Sequence, residues 1–317
     1  MLRGAIDILG FTFHYFQNEI HVPCQGSLTA QQLAWILRRL RESFTLVSPQ
    51  QFLEDVRRRK EDPAELCLCF DCGLKSQYDI ALPVLEEFGL KAFWFLYTSV
   101  LDGGIVTVEQ VHHFRFSCFA SVDRFYSVFF QAAADRLSDR FDSALSAFRR
   151  SGYLNWAPFY TEEDRLFKYL RDRVMTEEEF HAVLQRMMRE AGYEVEAYRD
   201  LLWLSRDEVR HLSDTGHVIG MHTHTHPNEI GKLPYEAQLR EYGTCQKILR
   251  EITGQPVVSM SHPCNSYSGD TLRVLRELGV EAGFRADQDP RYRSALELPR
   301  IDHAAWIRQQ KESVLWQ

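Results

Sequence analysis

The chain has 317 residues, with 37 Lys and Arg against 44 Asp and Glu, and therefore a formal net charge of −7. Its hydrophobic content of 45% is too high for a disordered chain, and its mild acidity argues against a nucleic-acid partner, which usually requires a basic patch. No apolar run reaches the ~18 residues of a membrane-spanning helix, so we expect no membrane span.

Helix starts and short apolar runs alternate along the chain. A capping Ser or Thr followed three residues later by Gln or Glu occurs at Thr29 with Gln32, Ser48 with Gln51, Thr176 with Glu179, and Ser205 with Glu208. Apolar runs of strand length lie at 67–70, 92–96, 218–221, 257–260 and 296–301. This alternation predicts an α/β fold with a parallel sheet.

Residues 103–205 interrupt the alternation. The stretch is long and aromatic, and its apolar residues recur at helical spacing. We therefore predict a helical insertion within a single domain that spans residues 1–317. Its apolar stripes are typical of packing against a core, and a cofactor pocket is the less favoured alternative.

Three histidines fall within residues 222–226, directly after the strand predicted at 218–221. If the chain turns into a helix at His222, the rings of His222 and His226 share one face and can bind one ion, while His224 points elsewhere. Zinc favours neutral imidazole nitrogen, so this spacing indicates a metal site. The alternative is a polar loop without a ligand.

The strand predicted at 67–70 runs into Asp71, Cys72 and a glycine. A carboxylate at the end of such a strand lies at the carboxyl edge of a parallel sheet, where α/β enzymes keep their sites. Cys67 and Cys69 alternate within the strand and are typical of small core residues, whereas Cys72 stands at the strand tip. The seven cysteines are an odd number spread along the chain, which favours reduced thiols and a cytoplasmic protein.

Two further strand ends carry ionisable side chains, namely His262 after 257–260, and Arg300, Asp302 and His303 at the end of 296–301. Each end is weak evidence alone, but four of them converge if the strands are parallel and share one sheet or barrel. Arg300 would contact an anionic substrate group or form a surface salt bridge. Asp302 and His303 would be catalytic or a structural polar pair.

These motifs together resemble the polysaccharide deacetylase family, the NodB-like carbohydrate esterases. The family's Thr-Phe-Asp-Asp-Gly strand end corresponds to Cys-Phe-Asp-Cys-Gly at 69–73, and its His-Ser/Thr-x-x-His-Pro motif is matched in full at 222–227. Its Arg-x-Pro segment corresponds to 261–264, with His262 in place of the arginine. His303 corresponds to the family's late histidine.

The resemblance covers about residues 5–100 and 205–305 and implies a distorted, incomplete (β/α) barrel with a divalent metal at its carboxyl end. It implies a hydrolase that removes N- or O-acetyl groups from sugars, with an acylated sugar or glycan precursor as substrate. It maps the general base onto Asp71. The metal ligands map onto Cys72, His222 and His226, and zinc is the expected ion. An insertion at this face would cover one rim of the site.

Further roles follow from the resemblance and from site chemistry. His303, steered by Asp302, would protonate the leaving amine. His262 would orient Asp71 in place of the arginine, or act as a further metal ligand.

Cys72 is the main departure from the family, because it stands where the family has a metal-binding aspartate. Three outcomes are open: a His-His-Cys site, a site of two histidines and water, or an inactive enzyme. A thiolate binds zinc well, but at about 2.3 Å rather than ~2.0 Å and with more charge passed to the ion. The rival functions are an amidohydrolase on a non-sugar amide and a pseudoenzyme that binds without turnover.

Overall fold

The computed structural model describes residues 10–24, 26–60, 62–105, 107–155, 160–289 and 294–309. The strands within them are β1 (Gly10–Phe13), β2 (Thr45–Leu46), β3 (Glu65–Asp71), β4 (Phe93–Leu96), β5 (Val218–Met221), β6 (Ser259–Ser261), β7 (Ala282–Phe284) and β8 (Arg300–Asp302). Their pairings are parallel, and hydrogen-bonded neighbours follow the order β7-β6-β5-β4-β3-β1-β8, with β2 paired to β3.

The two edges of this sheet approach each other. Phe284 in β7 forms a parallel bridge with Leu298, which lies two residues before β8. Backbone hydrogen bonds of 2.8 Å join Gly283 and Arg285 to the same segment. The sheet is therefore a nearly closed parallel barrel, which confirms the predicted NodB-type (β/α) barrel.

Helices connect the strands and form the middle of the chain. They are α1 (Ala30–Arg41), α2 (Pro49–Arg58), α3 (Leu82–Glu87), α4 (Thr107–Ser117), α5 (Val122–Leu137), α6 (Asp139–Ser151), α7 (Glu162–Tyr169), α8 (Glu177–Glu190), α9 (Arg199–Leu202), α10 (Arg206–Asp214), α11 (Tyr235–Thr253), α12 (Gly269–Glu277) and α13 (His303–Gln309). No helix in the described part of the chain is long and apolar enough to cross a membrane.

The predicted helix starts are confirmed with one difference. Thr29, Thr176 and Ser205 each form a complete capping box. Ser48 accepts a hydrogen bond from the backbone N–H of Gln51, but the reciprocal bond that completes a box does not form. These caps bind N–H groups that would otherwise lack partners, and so they fix where each helix begins.

The chain divides into two compact units, Met1–Val106 with Asp200–Gln317, and Thr107–Arg199. The first contains the barrel with α1–α3 and α10–α13. The second contains α4–α8, so the predicted insertion is helical as expected. Its aromatic stripes pack on one another, with Phe129 against Phe167 at a centroid distance of 4.7 Å. Whether this unit covers a rim of the site stays a prediction, as does the single-domain organisation.

Candidate metal and catalytic site

Ionisable side chains follow the strands at one edge of the barrel. They are His14 after β1, Asp71 and Cys72 at the end of β3, His222 after β5, His262 after β6, and Asp302 and His303 at the end of β8. Because the strands are parallel, their carboxyl ends meet at the same edge, which is where α/β folds place their sites.

Cys72, His222 and His226 come together at this edge. One ligand atom from each, the thiol sulfur or a ring nitrogen, lies within 4.8 Å of the other two. The two imidazole ring centroids are 4.8 Å apart. The structure therefore groups the three residues to which the resemblance assigned a metal.

The loop that carries both histidines is not helical, which corrects the geometry expected from their spacing. Residues 222–226 have no helical assignment, and Thr223 and His226 adopt positive φ of 68° and 58°. Pro227 disfavours helical backbone in the residue before it, which explains why no helix begins here. The hydroxyl of Thr223 accepts a hydrogen bond from the N–H of His226 at 3.2 Å and closes the loop.

The donor atoms of the two histidines suit a cation. His222 donates from Nδ1 to the backbone oxygen of Ser261 at 2.9 Å, which leaves the lone pair on Nε2. The Nδ1 atom of His226 is buried without a hydrogen-bond partner among the described residues. Burial lowers the pKa of both rings, that of His226 to about 3, so both are neutral imidazoles with lone pairs to offer. A mixed Cys and His donor set is typical of zinc.

Cys72 reaches this group through a turn with unusual backbone. Cys72 has φ of 80°, and Gly73 after it has φ of 65°. A Cβ atom at Gly73 would lie 2.4 Å from the side chain of Leu96, and the positive φ would strain any other residue, so this position favours glycine. Left-handed backbone at a non-glycine residue costs about 1–3 kcal/mol and tends to cluster at functional sites. Cys72, Thr223 and His226 all have left-handed backbone, and all lie in or beside the group of possible metal ligands.

Asp71 is buried and held by an arginine. The two terminal nitrogens of Arg300, Nη1 and Nη2, donate to Oδ1 and Oδ2 of the Asp71 carboxylate at 2.8 Å each. Ser261 donates its hydroxyl to Oδ2 at 2.9 Å. Burial works to raise the pKa of Asp71, but the charge and hydrogen bonds of Arg300 outweigh it and hold the pKa well below its usual range. Asp71 is therefore an ionised carboxylate in a fixed position.

Arg300 lies inside the barrel rather than on the surface. It is 1% exposed, and its guanidinium carbon lies 5.7 Å from the ring centroid of Phe95 and 5.8 Å from that of Phe284. Gly10 on the paired strand leaves the room that its side chain needs, because a Cβ atom there would come within 2.7 Å of Arg300. Neither of the two sequence-based roles, an anionic-substrate contact or a surface salt bridge, fits this position.

His262 occupies a different place from the one expected of an arginine substitute. Its Nε2 pairs with the backbone oxygen of Leu296 at 2.8 Å, and its ring stacks on Tyr267 at a centroid distance of 4.4 Å. Arg300 forms the pairing with Asp71 instead. His262 is also not part of the group of possible metal ligands found among the described residues.

His14 is a site residue that the sequence reasoning missed. Its Nδ1 pairs with Asp302 at 3.1 Å, and its Nε2 lies 3.9 Å from Oδ2 of Asp71. Burial lowers the pKa of His14, but the hydrogen bond and charge of Asp302 and the charge of Asp71 outweigh it, so the pKa is raised above 6.5. The signal was present, because His14 ends an apolar strand as Asp71 does.

His303 uses its Nε2 for a contact with the backbone, not with Asp71 or Asp302. Its Nε2 donates to the backbone oxygen of Gly26 at 2.7 Å, and its ring stacks on Phe13. Its Nδ1 lies 3.6 Å from Asp302, whose closer partner is His14. In this structure the ring of His303 is therefore held by Gly26 and Phe13.

Gln77 links the two strand ends that carry His14 and Asp71. Its side-chain amide donates to the backbone oxygen of His14 at 2.8 Å and to that of Asp71 at 2.6 Å. It lies fully buried in a π-helical turn, Gln77–Ala81, a feature that recurs at functional sites. Gln77 therefore fixes the spacing between these two strand ends.

A comparison with family models matches residues 168–283 to the family described as polysaccharide deacetylase. The matched segment contains His222 and His226 but neither Asp71 nor Cys72. No functionally curated protein matches the sequence.

Solved structures share the fold across nearly the whole chain. IcaB from Ammonifex degensii has a TM-score of 0.55 at 12% identity, covering 96% of each chain. The Streptococcus pyogenes deacetylase PplD, in complex with acetate, has a TM-score of 0.54 at 12% identity, covering 93% of this chain and 91% of that one. The BpsB deacetylase domain from Bordetella bronchiseptica has a TM-score of 0.51 at 14% identity, covering 93% and 95%. The family match and the fold confirm the resemblance predicted from the motifs.

Proposed function

We propose that this chain, with the polysaccharide deacetylase fold and family match, is a metal-dependent hydrolase that removes an N-acetyl or other acyl group from a sugar or glycan precursor. The observation that carries the proposal is the juxtaposition of a Cys72, His222 and His226 group with the Asp71 carboxylate at the carboxyl end of the barrel. A ligand set beside a fixed carboxylate and a histidine is an arrangement that can support hydrolysis of an amide.

The metal centre of the proposal consists of Cys72, His222 and His226. A bound zinc ion would supply Lewis acidity, which lowers the pKa of water and stabilises charge on the acyl oxygen. The chain's contribution is to hold two neutral rings and a thiol in place. Its support is the convergence of their ligand atoms and the Nδ1 of His226, which has no hydrogen-bond partner among the described residues.

Asp71 is the proposed general base. It would accept a proton from the water that attacks the acyl carbon. Arg300 keeps its carboxylate ionised and fixed, so Arg300 acts as a positioning residue through Asp71. His262 takes no part in this pairing.

His14 is the proposed proton donor to the leaving amine, in place of His303. It is 31% exposed, its Nε2 faces Asp71, and Asp302 holds its other nitrogen. An imidazole fixed by a carboxylate in this way presents one nitrogen for proton transfer. His303 has its Nε2 occupied by the oxygen of Gly26.

The substrate test compares two amide classes. The zinc-loaded protein is incubated with N-acetylated oligosaccharides and, separately, with simple acetamides, and the released free amine is measured. Turnover of the sugars supports the proposal. Turnover of simple amides alone would favour the amidohydrolase, and turnover of neither would favour a pseudoenzyme.

The cytoplasmic location belongs to the same proposal. Its support is the odd number of cysteines, spread along the chain, and the thiol at the proposed metal centre, which must be reduced to bind an ion.

A further inference from the structure

The segment between the two ligand histidines is bound by a carboxylate from another element. Glu241, on α11, accepts hydrogen bonds from the backbone N–H groups of His224 and Thr225 at 3.0 and 2.8 Å. Its second oxygen accepts the hydroxyl of Thr225 at 2.8 Å. One side chain therefore engages two consecutive residues of the loop.

The opposite side of the loop is held as well. The backbone oxygen of His224 accepts N–H bonds from Thr98 and Ser99 at 3.2 and 2.9 Å, and the hydroxyl of Thr98 pairs with its Nδ1 at 2.9 Å. His224, which the histidine spacing directed away from the metal, is thus the point where the loop is anchored.

The loop needs this support because its own conformation is unfavourable. It forms neither helix nor strand, and Thr223 and His226 both lie in the left-handed region. Such backbone persists only where the surroundings determine it. The external hydrogen bonds therefore support the loop in which the ring centroids of His222 and His226 lie 4.8 Å apart.

We propose that Glu241 is a positioning residue of the metal centre, which orders residues 222–226 so that His222 and His226 converge before an ion arrives. The inference rests on the metal centre of the proposed function and deepens it. None of the hydrogen bonds that Glu241 forms with described residues reaches a ligand atom; it acts through the backbone of His224 and Thr225 and through the hydroxyl of Thr225. Loss of its hydrogen bonds releases the loop and weakens ion binding.

Two variants separate hydrogen bonding from charge and from folding. Glu241→Gln keeps the size of the side chain but replaces one acceptor oxygen by a donor. Thr225→Val keeps shape and charge and removes only the hydroxyl bond. Glu236→Gln is the matched control, because it removes the same charge from an exposed position on the same helix.

The measurement is the affinity of the full-length protein for Co²⁺ and Zn²⁺, by absorption and by chelator competition, with the unfolding temperature of the metal-free protein alongside. We expect Glu241→Gln to weaken binding by about 10–100-fold, the usual effect of losing a partner that orients ligands. Thr225→Val should weaken it by a smaller factor, and Glu236→Gln should match the wild type.

The outcomes are distinct. Wild-type affinity in a folded Glu241→Gln variant would overturn the role of Glu241 alone. If that variant does not fold, Thr225→Val decides, and wild-type affinity there overturns the inference. An equal loss in Glu236→Gln would assign the effect to charge and also overturn it. A wild-type protein that binds no ion contradicts the proposed metal centre and this inference with it.

Discussion

Arg300 binds both carboxylate oxygens of Asp71 at 2.8 Å, although the two residues lie 229 positions apart in the sequence. The pair is buried inside the barrel, and Ser261 bridges the two side chains with hydrogen bonds of 2.9 and 2.7 Å. The base of the proposed reaction is thus fixed by the last strand of the barrel.

Removal of Arg300 should destabilise the fold. Arg300→Leu leaves the Asp71 charge buried without its partner, a change that costs about 3–5 kcal/mol. Chemical denaturation measures the loss. The control is Arg273→Leu, which breaks the exposed pair with Asp270 and should cost about 0–1 kcal/mol. Equal losses in the two variants would show that the buried pair has no special part in stability.

Replacement of Asp71 should separate chemistry from ion binding. Asp71→Asn keeps a side chain of the same size but accepts no proton, so turnover should fall by roughly 10²-fold or more while the metal stays bound. Metal content and turnover are measured on the same sample. Full activity in this variant would remove Asp71 from the role of base, and loss of the ion from a variant that is still folded would place Asp71 among the ligands.

Cys72 should give the metal centre a spectroscopic signature. A thiolate bound to Co²⁺ produces a charge-transfer absorption in the near ultraviolet, which Cys72→Asp should abolish while still binding the ion. Cys264→Ser, which changes an exposed cysteine, should leave the absorption unchanged. Because an oxygen ligand passes less charge to the ion, Cys72→Asp should preserve or raise activity. A charge-transfer absorption that persists in Cys72→Asp would contradict the assignment of Cys72 as a ligand.

The pair of His14 and Asp302 should determine the pH at which turnover falls on the alkaline side of its pH profile. Burial lowers the pKa of His14, but Asp302 raises it by more, and a general acid works only while protonated. Turnover should therefore fall as the pH rises through this raised pKa. Asp302→Asn removes the carboxylate that raises the pKa of His14, so the alkaline limb of the profile should move to lower pH. If His303→Gln moves the limb and His14→Gln does not, the proton donor is His303.

The sequence predicted the features that depend on local pattern. The apolar run before Asp71 and the run before His222 are strands, and parallel strands necessarily bring their ends to one edge. The early strand before His14 has four residues, as β4 and β5 do, but the sequence analysis did not identify it. The ion pair of Arg300 with Asp71 joins the end of the chain to an early strand, and no local pattern reports such a contact.

The conformation of the histidine loop was also beyond local reasoning. A spacing of four residues suggested a helix between His222 and His226, and the observed loop reaches the same convergence by left-handed backbone. Its shape depends on Glu241, which lies on α11, and on Thr98, which lies in the segment after β4. Tertiary hydrogen bonds override the local preference here.

The most direct test of the account is the metal content of the purified protein, measured for the wild type and for a His222→Ala, His226→Ala double variant after both are loaded with zinc and desalted. The account predicts one tightly held ion per chain in the wild type and none in the variant, with both proteins folded. A wild type that retains no ion, or a double variant that retains it fully, would contradict the metal centre on which the proposed function rests.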